Sequence, residues 1–264
     1  MNSLEQLLQL MQTLRDPQKG CPWDQAQTFA TIAPFTLEEA YEVADAIARE
    51  DYIDLKSELG DLLFQVVFYC QMAREQNRFD FYDVAQTMCD KLVTRHPHVF
   101  GADEFISVPE LHKQWEARKA LERASKAAEK GEAQTSSVLD DVPLALPALA
   151  RAQKMQKRAA SVGFDWTDAA PVIDKIHEEL QELAQARQQA DSDAIEDELG
   201  DVLFSCVNLA RHLHINAEHA LRRATDKFNQ RFRWLEQALD ADGLAAAEVD
   251  ATTLEQYWQR AKQQ

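Results

Sequence analysis

Apolar residues recur near the start of the chain at Leu4, Leu7, Leu8, Met11 and Leu14, the i, i+3, i+4, i+7 spacing of an amphipathic helix. Asp16-Pro17 and Lys19-Gly20 end it, and the turn Gly20-Cys21-Pro22-Trp23-Asp24 leads into a polar stretch. A second helix is expected from Pro34 and Thr36-Leu37-Glu38-Glu39, with acids in its first turn, to about Glu50. The third runs from near Tyr52 to Gln76, broken in composition only by Gly60. Its stretch from Leu62 to Phe68 is apolar almost all round, which predicts burial. A fourth covers Phe81 to Arg95 and stops before Pro97, because the residue preceding a proline is disfavoured in helical geometry. A fifth is expected around Pro109 to Arg123, carrying Trp115. From Ser125 to Asp140 the residues turn small and polar, the composition of a linker.

Beyond the linker the pattern starts again. Shifted by 140 residues, Glu58-Leu-Gly-Asp-Leu-Leu-Phe-Gln-Val-Val67 lies over Glu198-Leu-Gly-Asp-Val-Leu-Phe-Ser-Cys-Val207 with seven of ten positions identical. The same shift lays Glu38, Glu39 and Glu42 over Glu178, Glu179 and Glu182. Looser echoes pair Trp23 with Trp166, Lys91 and Arg95 with Lys227 and Arg231, and Trp115 and Lys119 with Trp258 and Lys262. The expected architecture is all-α, a tandem duplication of a helical bundle: an N-terminal domain over 1–124, a linker over 125–142 and a C-terminal domain over 143–264.

Composition agrees with long helices. Only seven glycines and eight prolines occur in 264 residues, too few for a fold rich in turns. The net charge of −17 argues against nucleic-acid binding, which relies on clustered Lys and Arg to neutralise phosphates. A small anionic ligand stays open, provided metal ions and a few local basic residues offset the repulsion. Cys21, Cys70, Cys89 and Cys206 show no CxxC spacing, and no charged n-region with an apolar h-region stands at the N-terminus, so a reduced, cytoplasmic protein is expected. No uncharged apolar run approaches the ~20 residues of a membrane helix.

The repeated acids carry the candidate chemistry. Glu39/Glu42 with Glu58/Asp61, and Glu179/Glu182 with Glu198/Asp201, are i, i+3 pairs that each lie on one helix face. If the two helices of each copy are antiparallel neighbours, four carboxylates converge, and their repulsion calls for a cation. Oxygen donors without histidine or thiolate suit Mg²⁺ or Mn²⁺ better than zinc or iron. His177 stands outside the repeated pattern, its counterpart being Leu37, and reads as a surface or capping residue. Isolated EExxE segments are usually no more than solvated helix faces. That reading does not explain the same spacing twice, or ExxD placed directly before an apolar run.

With Gly20-Cys-Pro-Trp-Asp24, Thr36-Leu-Glu-Glu39, Glu58-Leu-Gly-Asp61, Arg95-His-Pro-His-Val-Phe100, Val162-Gly-Phe-Asp-Trp166 and Glu198-Leu-Gly-Asp201, nearly the whole chain resembles the MazG family of nucleoside triphosphate pyrophosphohydrolases, within the all-alpha NTP pyrophosphatase superfamily. The resemblance implies hydrolysis of an NTP or dNTP to the monophosphate and pyrophosphate, Mg²⁺ held by the paired acids, and a homodimer of interlocked helical domains. A house-cleaning enzyme restricted to one noncanonical or deoxy nucleotide is a close alternative. A non-enzymatic acidic helical module that binds a regulatory protein partner is another.

Both copies retain four acids, so the choice between them rests elsewhere. Asn208 stands seven residues beyond Asp201 on nearly the same face, where the first copy has Phe68. An asparagine can hydrogen-bond a sugar or base and a phenylalanine cannot. In superfamily members an asparagine here resembles a substrate contact, so the C-terminal copy is the expected catalytic one, with Glu179, Glu182, Glu198 and Asp201 as metal ligands and Glu39, Glu42, Glu58 and Asp61 as a secondary set. A satisfied buried amide is the plainer reading of Asn208. Candidate phosphate contacts are Lys154, Lys157, Arg158, Lys227 and Arg231, though solvated surface explains at least half of such residues. Trp258 is a candidate base platform against the commoner role of a core aromatic. Glu178, about 100° round the helix from Glu179, is a candidate water base or an exposed acid near a helix start.

Overall fold

The computed structural model describes residues 2–101, 107, 110, 118, 137–140 and 142–263. The chain divides into two compact units, Met1–Lys126 and Ala127–Gln264. The described residues form helices and no strand. No helix among them is long and apolar enough to cross a membrane. The fifth expected helix, with Trp115, falls almost wholly outside the described residues, as does most of the expected linker.

In the first unit the helices are α1 (Ser3–Leu14), α2 (Pro22–Ala26), α3 (Phe29–Ala48), α4 (Tyr52–Glu75), α5 (Phe81–Arg95) and α6 (Pro97–Phe100). The start of α3 differs from expectation: it lies at Phe29, with Pro34 inside the helix. Thr28 and Thr31 form a reciprocal cap and Ile32 is buried, so the first turn is held at both its polar and its apolar side. Proline at the sixth position then forfeits one backbone bond without ending the helix. The approach to α2 is tight. A Cβ on Gly20 would lie 2.3 Å from the Leu14 carbonyl oxygen, so only glycine fits there.

The second unit contains α7 (Ala148–Ala160), α8 (Ala170–Gln189), α9 (Ser192–His212), α10 (Ala217–Ala241) and α11 (Ala251–Ala261). The duplication is visible in the backbone as well as in the side chains. α3–α4 and α8–α9 are hairpins whose turns carry a left-handed residue at equivalent places, Glu50 (φ 55°) and Ala190 (φ 55°). In each, the next residue caps the second helix: Asp51 Oδ1 accepts from the amides of Ile53 (3.1 Å) and Asp54 (3.0 Å), and Asp191 Oδ1 from those of Asp193 (3.1 Å) and Ala194 (3.2 Å).

Met11 of α1, Ile32 of α3 and Val67, Phe68 and Met72 of α4 form the core of the first unit. In the second, Leu235 and Leu239 of α10 pack with Tyr257 of α11. The apolar runs of α4 and α9 are buried on one side only. Val67 and Phe68 are fully enclosed, but Leu59, Leu63, Leu199, Leu203 and Phe204 are each at least 40% exposed within the chain.

Candidate metal centre

Short turns, of three residues between α3 and α4 and of two between α8 and α9, make each pair antiparallel neighbours, so the acids on their facing sides meet. In the first unit, oxygens of Glu39, Glu58 and Asp61 lie within 4.8 Å of one another; in the second, those of Glu179, Glu182 and Glu198 do. Each trio draws on both helices of its hairpin. The tight groups leave out Glu42 in one copy and Asp201 in the other, although both belong to the same four-acid pattern. His177 is exposed and stands outside the cluster.

The clustering has an electrostatic cost that the carboxyls register. Partial burial, then Glu179 and Glu198, push Glu182 above the ordinary carboxyl range. In the first unit burial raises Glu39, with Asp61, Glu42 and Glu38 adding to it, while a hydrogen bond from Gln65 opposes the shift. Glu58 is raised by burial and by Glu42 and Asp54. Convergent carboxylate oxygens that resist ionising together form a donor set suited to a hard divalent cation.

Each copy offsets the charge on its most enclosed acid differently. Glu179 is only 5% exposed, and Lys175, one turn earlier on α8, places Nζ 2.9 Å from its Oε1 and 2.8 Å from Oε1 of Glu178. These carboxylates hold the Lys175 ammonium well above its usual range. The equivalent residue in the first copy is Phe35. There the partner is Gln65 of α4, whose Nε2 donates to Glu39 Oε1 at 3.3 Å. Lys175 was absent from the candidates drawn from sequence, although its i, i+4 spacing to Glu179 was a readable signal.

Asn208 is 5% exposed on α9 and lines a cavity of about 260 Å³ whose other walls include Met155, Gln156, Phe164, Trp166, Phe204 and Arg211. At the equivalent position Phe68 is fully buried in the first unit's core. Asn208 Oδ1 accepts from Arg211 Nε (3.0 Å) and Nη2 (2.7 Å). Arg211 in turn donates through Nη1 to Asp165 Oδ2 at 2.8 Å and also pairs through Nη2 with Oδ1. The guanidinium holds the Asp165 carboxyl below its usual range.

The basic candidates separate into groups. Lys154 and Lys157 line a shallow concavity with Arg211, His214 and Asn216, toward the C-terminal end of α9. Ten residues separate Arg211 from Asp201, about 15 Å along the helix. Arg158 donates to the carbonyls of Asp140 and Val138, tying that segment to α7. On α10 and α11, Phe228 meets Trp258 at 5.3 Å between ring centroids and stacks on Phe232, so Trp258 lies half-buried beside the helix that carries Lys227 and Arg231. Among the described residues no ion pair joins Lys227 or Arg231 to the acids.

The MazG nucleotide pyrophosphohydrolase domain family matches residues 27–100 and again 169–235, spanning both hairpins. The nucleoside triphosphate pyrophosphohydrolase of Escherichia coli strain K12 is 55% identical over 266 residues, covering 100% of this chain and 98% of that protein. A Thermotoga maritima protein described as nucleoside triphosphate pyrophosphohydrolase/pyrophosphatase MazG is 44% identical over 98% of this chain and 95% of its own length. The nucleoside triphosphate pyrophosphohydrolase of Mycobacterium tuberculosis is 34% identical over 90% of this chain and 62% of its own length.

Proposed function

The chain belongs to the MazG nucleotide pyrophosphohydrolase family, and from that premise we propose that its nucleoside triphosphate pyrophosphohydrolase activity resides in the second unit, at Glu179, Glu182, Glu198 and Asp201. The products are the nucleoside monophosphate and pyrophosphate. One contrast between the copies carries the choice: the acid-bearing helix α9 continues into a cavity edged by Asn208, whereas the equivalent place on α4 is filled by Phe68. A nucleotide needs room for its nucleoside beside the metal-bound phosphates, and among the described residues that room lies beside Asn208 on α9, while Phe68 fills the equivalent place on α4.

The metal we assign to the acids is Mg²⁺, with Mn²⁺ as a substitute, and at this site it would neutralise the triphosphate and polarise a water for in-line attack at the α-phosphorus. The protein's own groups do the rest. Lys175 fixes Glu178 beside Glu179, leaving a Glu178 oxygen to accept the water's proton. Lys227 and Arg231, i, i+4 on α10, supply charge to the departing pyrophosphate, and Trp258 flanks the nucleotide. Glu39, Glu42, Glu58 and Asp61 form a secondary cation site in the first unit.

Within one chain no ion pair among the described residues joins Lys227 or Arg231 to the acids, and this supports a homodimer. So does the apolar face at Leu59 and Leu63, repeated at Leu199 and Leu203 and exposed in both copies. Gly60 and Gly200 lie in that face. A Cβ at either would meet nothing within 4 Å in the chain, so internal packing does not explain a helix-interior glycine that costs about 1 kcal/mol. We place the protein in the cytoplasm, where its substrates are, and assign a regulatory partner, if one binds, to the first unit.

Pyrophosphate release from the common ribo- and deoxynucleoside triphosphates at millimolar Mg²⁺ tests the reading. Turnover that vanishes with EDTA and with Glu198→Ala supports it. No pyrophosphate from any of the eight substrates would sink it.

A further inference from the structure

Asn208 has two faces, an acceptor oxygen and a donor NH₂, and its surroundings dictate which of them meets the cavity. Arg211 carries donors only, and two of its nitrogens converge on the amide, at 3.0 and 2.7 Å, so the group facing them must be the oxygen. The NH₂ has no hydrogen-bond partner among the described residues and borders the cavity, so an acceptor that enters can reach it, whereas the other amide lining the cavity, Gln156, keeps a buried Oε1 without a partner. The arginine cannot turn away, because Asp165 grips the far side of its guanidinium through both carboxylate oxygens. Asp165 is itself oriented by the Trp166 amide, which donates to Oδ1 at 2.9 Å, with His212 Nε2 3.1 Å from the same oxygen.

We infer that the pair Asp165–Arg211 is a positioning device that locks the amide of Asn208 with its NH₂ toward the cavity, so that the site recognises a nucleoside through a hydrogen-bond acceptor on its base or sugar. This rests on the assignment of catalysis to the second unit. The other side chains named above for the cavity are mostly apolar: Met155, Phe164, Trp166 and Phe204 offer stacking and packing surfaces. The location fits a nucleoside. Asn208 stands seven residues beyond Asp201, about 10 Å along α9, comparable to the span from an α-phosphorus to the base of the same nucleotide. The phosphates are then handled at one end of the helix face and the nucleoside at the other. A locked donor serves purines and pyrimidines alike, since every base presents a ring nitrogen or carbonyl acceptor.

The test compares wild type with Arg211→Gln, Asp165→Asn, Asn208→Ala and the double variant Arg211→Gln/Asn208→Ala. It measures steady-state hydrolysis of ATP and UTP alongside competitive inhibition by inorganic tripolyphosphate, which has no nucleoside. Each single substitution is expected to raise KM about tenfold, with a smaller change in kcat. The double variant should be no worse than Asn208→Ala, because both changes remove the same contact. Tripolyphosphate should inhibit all of them as it inhibits wild type. Should Arg211→Gln fail to fold, Asp165→Asn, which preserves side-chain volume, carries the test. Unchanged KM in Arg211→Gln or Asp165→Asn, multiplicative losses in the double variant, or weakened tripolyphosphate inhibition would each overturn the inference. Loss of all turnover in wild type would instead refute the underlying activity.

Discussion

At the residue scale, two of the differences between the copies bear most on the candidate site: Phe35 against Lys175, and Phe68 against Asn208. The first substitution gives the second copy a cation beside its most buried acid on α8, and the second leaves space along the neighbouring helix α9. Removing a ligand charge without changing shape should therefore have unequal effects. Glu179→Gln and Asp201→Asn are expected to lower kcat by at least a hundredfold in a pyrophosphate-release assay, while Glu39→Gln and Asp61→Asn leave it within about threefold. The reverse ranking would move catalysis to the first copy. Asn208 was legible in the sequence as an exception to the repeat. Its arginine partner stands three residues on along the same helix, but the hold of Asp165 on that arginine was not legible, because nothing in the spacing of Asp165 and Arg211, 46 residues apart, indicates that they meet.

The hairpin is the element that brings the acids together, and its energetics make two predictions. Ala190 holds a left-handed conformation at φ 55°, which costs a residue with a Cβ about 1 kcal/mol, whereas glycine adopts it freely. Ala190→Gly should raise the unfolding free energy by about 0.5–1 kcal/mol in urea titrations, and a decrease would contradict the strain. The second concerns pH. Glu39, Glu58 and Glu182 hold their protons to higher pH in the folded chain than when unfolded. Raising the pH through the carboxyl range thus takes more protons from the folded state than from the unfolded one, and the metal-free protein loses stability over that interval. In EDTA, Tm should rise as the pH is lowered from 7 toward 5. Mg²⁺ should raise Tm more at pH 7 than at pH 5, since protonated carboxyls bind it poorly. A Mg²⁺ effect independent of pH would mean that these acids do not hold the ion. The hairpin helices and their acid spacing followed from periodicity, but the beginning of α3 did not: Pro34 reads locally as a helix start, and the buried Ile32 with the Thr28–Thr31 cap overrides it.

For the whole molecule, the duplicated apolar face is the informative feature. Leucines 59, 63, 199 and 203 recur at the same places in both hairpins, yet stay at least 40% exposed in the single chain. Sedimentation velocity should give a dimer at micromolar concentration, and Leu203→Lys should shift it toward monomer, with loss of turnover if the partner completes the site; a wild-type monomer with full activity would refute this arrangement. The sequence by itself determined the all-helical class, the duplication, the acid pairs and the family, because each is written in periodicity and in repeated local spacing. Tertiary structure was needed to show which three acids of each four lie closest, that Gln65 hydrogen-bonds Glu39, and that Asp165 meets Arg211 beside Asn208 at a cavity. These depend on side chains brought together from different helices and loops, and on which face of an apolar run the rest of the chain covers, neither of which a linear pattern encodes.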